Sequence, residues 1–142
     1  MIKIIIILII ILFIIFSKSN KEHYSNKIEL TMDSLSGRGV KAVDDIKEND
    51  IIEICPYIED NKDNFQGILK DYIFKSKNDN KSLLAFGLCS IYNHNDDNNV
   101  GHAANYDNQT FIIKANRDIK KGEELFLNYG SGYWTSRNIK KL

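Results

Sequence analysis

Thr110-Phe111-Ile112-Ile113-Lys114-Ala115-Asn116-Arg117-Asp118-Ile119-Lys120-Lys121-Gly122-Glu123-Glu124-Leu125-Phe126-Leu127-Asn128-Tyr129-Gly130 decides how this chain is built. Residues 110–115 are rich in β-branched and aromatic side chains and predict a strand. Lys121-Gly122 is a turn signal, and Glu124 to Tyr129 predicts a second strand. Working outward, the same pattern of short apolar runs between turn signals recurs. Ile28-Glu29-Leu30 alternates as a strand does. Ser36-Gly37-Arg38-Gly39 is a turn, followed by the strand Val40-Lys41-Ala42-Val43. Asp44 to Asp50 is a polar connection. Ile51-Ile52-Glu53-Ile54 is a strand that the chain's one proline, Pro56, is expected to end. Asp60 to Asn64 is a polar loop, and Asp71-Tyr72-Ile73-Phe74 is a short strand. Ser82 to Tyr92 is apolar with small residues and reads as a short packed helix. Asn93 to Asn99 is an Asn/Asp loop. Strands of four or five residues between irregular loops predict a mostly β domain with little helix.

Four segments carry more than a fold class. They are Gly37-Arg38-Gly39-Val40; Tyr92-Asn93-His94-Asn95-Asp96-Asp97-Asn98-Asn99; Ala115 to Leu125; and Asn128-Tyr129-Gly130. In this order and at these separations they resemble the SET-domain family of protein-lysine methyltransferases. The first is similar to the family's glycine-rich turn, and the second to its Asn-His-Ser-x-x-Pro-Asn motif. The third is similar to A-x-R-D-I-x-x-G-E-E-L, and the fourth to Asp-Tyr-Gly. The resemblance covers about residues 28–134. It is nearest to the small viral SET proteins of large DNA viruses, which share the Asp71-Tyr72-Ile73-Phe74 segment and the ending Tyr129-Gly130-x-x-Tyr133-Trp134.

The resemblance implies a fold of small curved sheets with a pseudoknot, the segment ending at Tyr129 threading beneath the loop of Asn93 and His94. It implies S-adenosyl-L-methionine as cofactor, held by Gly37, Arg38, Gly39, Asn93, His94, Tyr129 and Trp134. Tyr129 is implied as the catalytic residue, orienting donor and amine rather than acting as a strong base. Tyr72 and Tyr133 are implied as walls of the substrate lysine channel, where aromatic faces attract a methylammonium. The implied partner is a protein or peptide lysine, histone or other; no metal is implied. Asn95, Asn98 and Asn128 stand where the family usually has Ser, Pro and Asp. A different class stays open: a catalytically silent SET-like module that binds a peptide or partner at a membrane.

The charges balance, 19 basic against 19 acidic. No strong basic field draws the chain to nucleic acid, so no direct nucleic-acid binding is expected. Cys55 and Cys89 have no zinc-ligand spacing and are read as two unpaired core residues, which favours a reducing compartment. Self-association, as a homodimer, is left open.

Ile4 to Phe16 is an unbroken apolar run between Lys3 and Lys18. With Ile2, it would make a helix of roughly 22 Å against a hydrocarbon core of about 30 Å. The flanking residues offer a poor signal-peptidase site, and no face of the run is polar. It is therefore read as an uncleaved single-pass anchor, with cleavage or a purely interfacial placement left open. Lys18, Lys21 and Lys27 follow it, and only Lys3 precedes it, which places the domain on the cytosolic side, in a host cell if the protein is viral. The organisation expected is anchor 1–20, linker 21–27, SET domain 28–134 and tail 135–142.

Overall fold

Alternation along Thr110–Ala115 buries Phe111, Ile113 and Ala115 and turns the residues between them outward, so this segment forms the strand its sequence predicts. The protein's computed structural model describes residues 26–34 and 37–138, and the N-terminal apolar run lies outside them. Nine strands and one short helix are described: β1 (Ile28–Ser34), β2 (Gly37–Ala42), β3 (Ile51–Asn61), β4 (Ile73–Lys75), β5 (Lys81–Ala85), β6 (Asn93–His94), β7 (Val100–Asn105), β8 (Thr110–Ala115), β9 (Glu124–Leu127) and α1 (Ser131–Arg137). Two 3-10 turns, Lys62–Asn64 and Gly67–Asp71, lead into β4. This is the mostly β architecture expected.

The strands form two sheets, ordered β1-β2-β9-β6 and β4-β5-β3-β8-β7. Their inner faces share one core, with Val40, Leu125 and Leu127 from the first sheet against Ile52, Leu83, Phe111 and Ile113 from the second. Ile46 and Ile119 join it from two connections. They exchange backbone hydrogen bonds of 2.9 Å in each direction, and both are buried. The Asp44–Asp50 connection is thus polar in composition but pinned at its centre.

Pro56 does not end β3, which runs on to Asn61. The proline sits where the strand changes partners. β8 pairs with β3 as far as Pro56, and β5 pairs from Tyr57 onward. A missing N–H costs little at that changeover, and the Pro56 carbonyl is still used, accepting from Phe86 N–H at 2.9 Å.

Ser82 to Tyr92 is not a helix. Its first part is β5, in which Leu83 and Ala85 point inward. Gly87, at φ +69°, then turns the chain back. An added Cβ there would lie 2.9 Å from Glu53 Oε1 and 3.2 Å from Cys55 Sγ, so the tight return depends on glycine.

That return overturns the reading of the cysteines. Both are buried as expected, but they are joined: Cys55 in β3 and Cys89 form a disulfide with Cα atoms 6.4 Å apart. Spacing along the sequence cannot reveal a pair made by a fold-back. The cysteine argument for a reducing compartment goes with it, since disulfides persist where conditions are oxidising.

The bond closes a loop with a sequence separation of 34. Reducing it should lower unfolding stability by about 3–4 kcal/mol on the loop-entropy relation. Urea titrations of the oxidised and reduced protein measure this directly; superimposable curves would show that the bond constrains nothing.

Candidate active site

The loop after Tyr92 and the strand β9 are built as one object. Asn93 and His94 pair in parallel with Phe126 and Leu127, and Asn95 N–H donates to the Leu127 carbonyl at 3.0 Å. Asn99 completes the edge with its side chain. Its Nδ2 donates to the Glu124 carbonyl at 2.8 Å, and its Oδ1 accepts from Phe126 N–H at 2.7 Å. The carboxamide thereby does the work of a strand residue. On its other edge β9 pairs with β2 through Val40 and Lys41. β9 therefore runs between β2 and the 93–99 loop. Asn98, in the place of a proline, ties the loop down by donating to the Val100 carbonyl at 2.8 Å. Asn128, in the place of an aspartate, accepts from Gly130 N–H at 2.8 Å. It keeps the turn after Tyr129 but not the charge.

Asn93 lies where three segments meet. Its Nδ2 is 2.8 Å from Ser34 Oγ, 2.7 Å from the Arg38 carbonyl and 2.9 Å from Glu124 Oε1. Its donors are spent on the protein, leaving Oδ1 as the group that can accept from a ligand. Gly39 belongs to the same knot. A Cβ there would collide with Glu124 Oε1 and stand 2.9 Å from Asn93 Nδ2. Gly39 is thus required by packing inside the protein. Gly37, at φ +91° with open space around it, is the glycine of the pair with a free approach. Arg38 reaches across to donate to Tyr72 Oη at 3.0 Å.

Tyr129 sits two residues past β9, which ends at Leu127 rather than at Tyr129 as predicted, and it is held at both ends. Its backbone N–H donates to His94 Nδ1 at 3.1 Å, and its hydroxyl donates to the Tyr92 carbonyl at 2.7 Å. Burial, reinforced by Tyr133 and Tyr72, pushes its phenol up to about 12. The hydroxyl is therefore neutral at pH 7, with its proton directed at Tyr92 and its lone pairs elsewhere. Aromatic rings pack around it: Tyr133 at 4.6 Å, His94 at 5.3 Å and Trp134 at 6.1 Å between centroids. Trp134 also meets His94 edge-on at 5.0 Å. His94 Nε2 lies 3.5 Å from Asp96 Oδ1. Neither it nor Trp134 Nε1 has a hydrogen-bond partner although both atoms are buried.

Two hollows share these residues. A cavity of about 170 Å³ is lined by Arg38, Asn93, Tyr72, Tyr129 and Tyr133, among others. A groove of about 860 Å³ runs along β4 to the same Tyr72, Tyr129 and Tyr133. Five of the sequence-predicted site residues thus meet around one cavity. Gly37, Gly39, His94 and Trp134 line neither hollow; the last two back Tyr129 from behind.

Other contributors were not foreseen. Arg137 stacks over the Tyr133 ring at 3.8 Å and pairs with Asp71 at 3.1 Å, bracing α1 against the groove. Glu53 is buried on β3. Its Oε1 accepts from Leu88 N–H at 2.9 Å and its Oε2 from the Tyr92 hydroxyl at 3.2 Å. Burial raises the Glu53 carboxyl above its usual range. Glu53 thus fixes Tyr92, whose carbonyl fixes Tyr129. An apolar strand interrupted by one acid, Ile52-Glu53-Ile54, was the available signal.

Comparisons with known proteins agree with this construction. The SET domain family matches residues 37–130. The histone-lysine N-methyltransferase of Schizosaccharomyces pombe specific for H3 lysine-37 is 30% identical over 112 residues, covering 75% of this chain and 76% of its own. A crystallised Plasmodium falciparum protein, described as a candidate histone methyltransferase, superposes with a TM-score of 0.64 at 35% identity, over 76% of this chain and 96% of its own. The polycomb repressive complex 2 of Chaetomium thermophilum, in an autoinhibited form bound to S-adenosylmethionine, shares the fold at a TM-score of 0.62 and 23% identity, over 80% of this chain and 17% of its own. The chain belongs to the SET-domain family. Membership and the fission-yeast relative support protein-lysine methylation, with S-adenosylmethionine as the family's donor.

Two outcomes follow from the supports. Asn99→Ala leaves the Phe126 N–H and Glu124 carbonyl unpaired in the interior, and should cost about 2–4 kcal/mol of stability in chemical denaturation. Glu53 gives a pH signature. Its folded carboxyl binds a proton more tightly than the unfolded one, so stability from this group is full at acid pH. It is lost as pH rises from about 4.5, the usual value, through the raised folded value. The stability of wild type relative to Glu53→Gln should therefore fall across that window; a pH-independent difference would refute the assignment.

Proposed function

We propose that this chain transfers methyl groups from S-adenosyl-L-methionine to the side-chain amine of lysine in a protein, with Tyr129 as the catalytic residue. The observation that carries the reading is that Tyr72, Tyr129 and Tyr133 line both the 170 Å³ cavity and the 860 Å³ groove. Two reactants entering by different mouths would meet at these rings. The cofactor supplies a methyl group activated on a positively charged sulfur.

The residues suit it. Arg38 offers a cation for a carboxylate, and Asn93 Oδ1 an acceptor for an ammonium. The His94 and Trp134 rings pack around Tyr129 and hold it beside the cavity. Gly37 leaves the backbone open to close approach.

On the substrate side, the groove offers aromatic walls to the lysine stem. Removing water from the amine disfavours its charged form and lowers its pKa from about 10.4. Tyr129 is a poor base, because its phenol is pushed up to about 12. Its role is orientation. With the hydroxyl donating its hydrogen bond to the Tyr92 carbonyl, the phenol oxygen's lone pairs and that carbonyl make a partly negative corner that attracts the methyl and the amine. Holding reactants in line can contribute about 7–11 kcal/mol to lowering a barrier.

The reading includes a membrane tether through residues 4–16. Among the described residues no helix is long and apolar enough to cross a membrane, so the tether rests on the uniformly apolar sequence of that run. A lysine on a membrane-associated protein is then the nearest substrate.

Full-length protein in detergent, given labelled methyl donor, membrane proteins and histones, tests the activity. Tyr129→Phe should lose about 10²-fold or more in transfer rate while cofactor binding by calorimetry is kept. Absence of both labelling and cofactor binding in the wild type would leave a silent binding module as the reading.

A further inference from the structure

The second sheet buries one face in the core and carries an apolar patch on the other, bordered by Asp60, Lys75, Thr110 and Lys114. Cys55, Tyr57, Leu83 and Phe111 face the core. Across the same strands, register places Ile54, Pro56, Ile58, Leu84 and Ile112 on the opposite side, and Phe86, just past β5, bonds its N–H to the Pro56 carbonyl beside them. Ile58 is 48% exposed and Phe86 47%. Ile51, at the start of β3, extends this face and is 54% exposed. Monomeric proteins seldom leave contiguous apolar area of this kind in water.

Where the chain enters the domain indicates what covers it. Lys27 Nζ holds Asp50 at 3.2 Å, immediately before Ile51. The linker therefore reaches the domain at one end of the apolar face, where Lys114 stands opposite Ile51. The ten residues Ser17 to Asn26 can span at most about 35 Å, while a five-stranded sheet is roughly 24 Å wide. Residues 4–16 have no polar side, so lying on the sheet would leave half their apolar surface in water. Lipid satisfies the run from all sides.

We propose that the outer face of the β4-β5-β3-β8-β7 sheet lies on the surface of the bilayer that holds residues 4–16. The inference rests on the tether proposed above. The face works as an interfacial contact: apolar side chains enter the headgroup boundary, and Lys114 meets anionic headgroups. β4 carries Ile73 on this face and borders the substrate groove. The groove opening is thereby held near the lipid surface.

The test uses the full chain in vesicles of phosphatidylcholine and phosphatidylglycerol, with and without brominated acyl chains. Trp134 is the only tryptophan, so Phe86→Trp adds a single reporter on the face. The variant should co-float with the vesicles, and bromine should quench its emission at least about twofold more than that of the unmodified chain. Adding Ile58→Asp to the Phe86→Trp chain should return quenching to the Trp134 level while flotation persists. Flotation with no extra quenching overturns the docking and leaves the tether standing, and the same holds if cross-linking shows a second copy on the face. Failure to float overturns the tether and the docking together. Quenching unchanged by Ile58→Asp also overturns the docking.

Discussion

The site depends on one side chain acting as backbone. Asn99, wholly buried, gives β9 a donor for the Glu124 carbonyl and an acceptor for the Phe126 N–H, completing the edge that Asn93 and His94 pair only in part. Unmet backbone groups in the interior are costly, so this carboxamide, together with the Asn93–His94 pairing, holds β9 between β2 and the loop. Several of the candidate site residues are placed by that strand. Tyr129 follows it by two residues, His94 flanks it, and Glu124 at its start holds Asn93. A polar residue in the core serves here as a structural element.

Around that strand the supports are layered. Glu53 orients Tyr92, and Tyr92 orients Tyr129. The two steps run from the second sheet out to the Tyr129 hydroxyl. A buried acid on β3, kept by two hydrogen bonds, thus bears on the position of a phenol on a different sheet. Asn98 and Asn128 show the same economy: where the family pattern is not kept, local hydrogen bonds hold the backbone.

The sequence was most informative where chemistry is local. Residues 110–115 alternate, and the strand matches to the residue. Tyr72, Tyr129, Tyr133, Arg38 and Asn93 were named from motifs, and all five line one cavity. What could not be read depends on contacts made across the fold. Pro56 looked like a strand end because the partner change at that residue is invisible in one dimension. Residues 82–92 looked helical because a strand followed by a glycine fold-back carries the same apolar count. The cysteine pair and the Arg137–Asp71 brace join residues whose proximity exists only after folding. Gly39 matched its motif, but the structure gives packing against Glu124 and Asn93 as its reason.

The disulfide has a topological meaning of its own. The ring closed by Cys55 and Cys89 contains β4, β5, Tyr72 and the exposed Asn78-Asp79-Asn80 turn. A protease cut at that turn would break the chain yet release no fragment, because both pieces end on the same sulfur bridge. The groove wall formed by β4 is in this sense enclosed in a covalent hoop, and a nicked molecule remains one molecule until a reductant opens it.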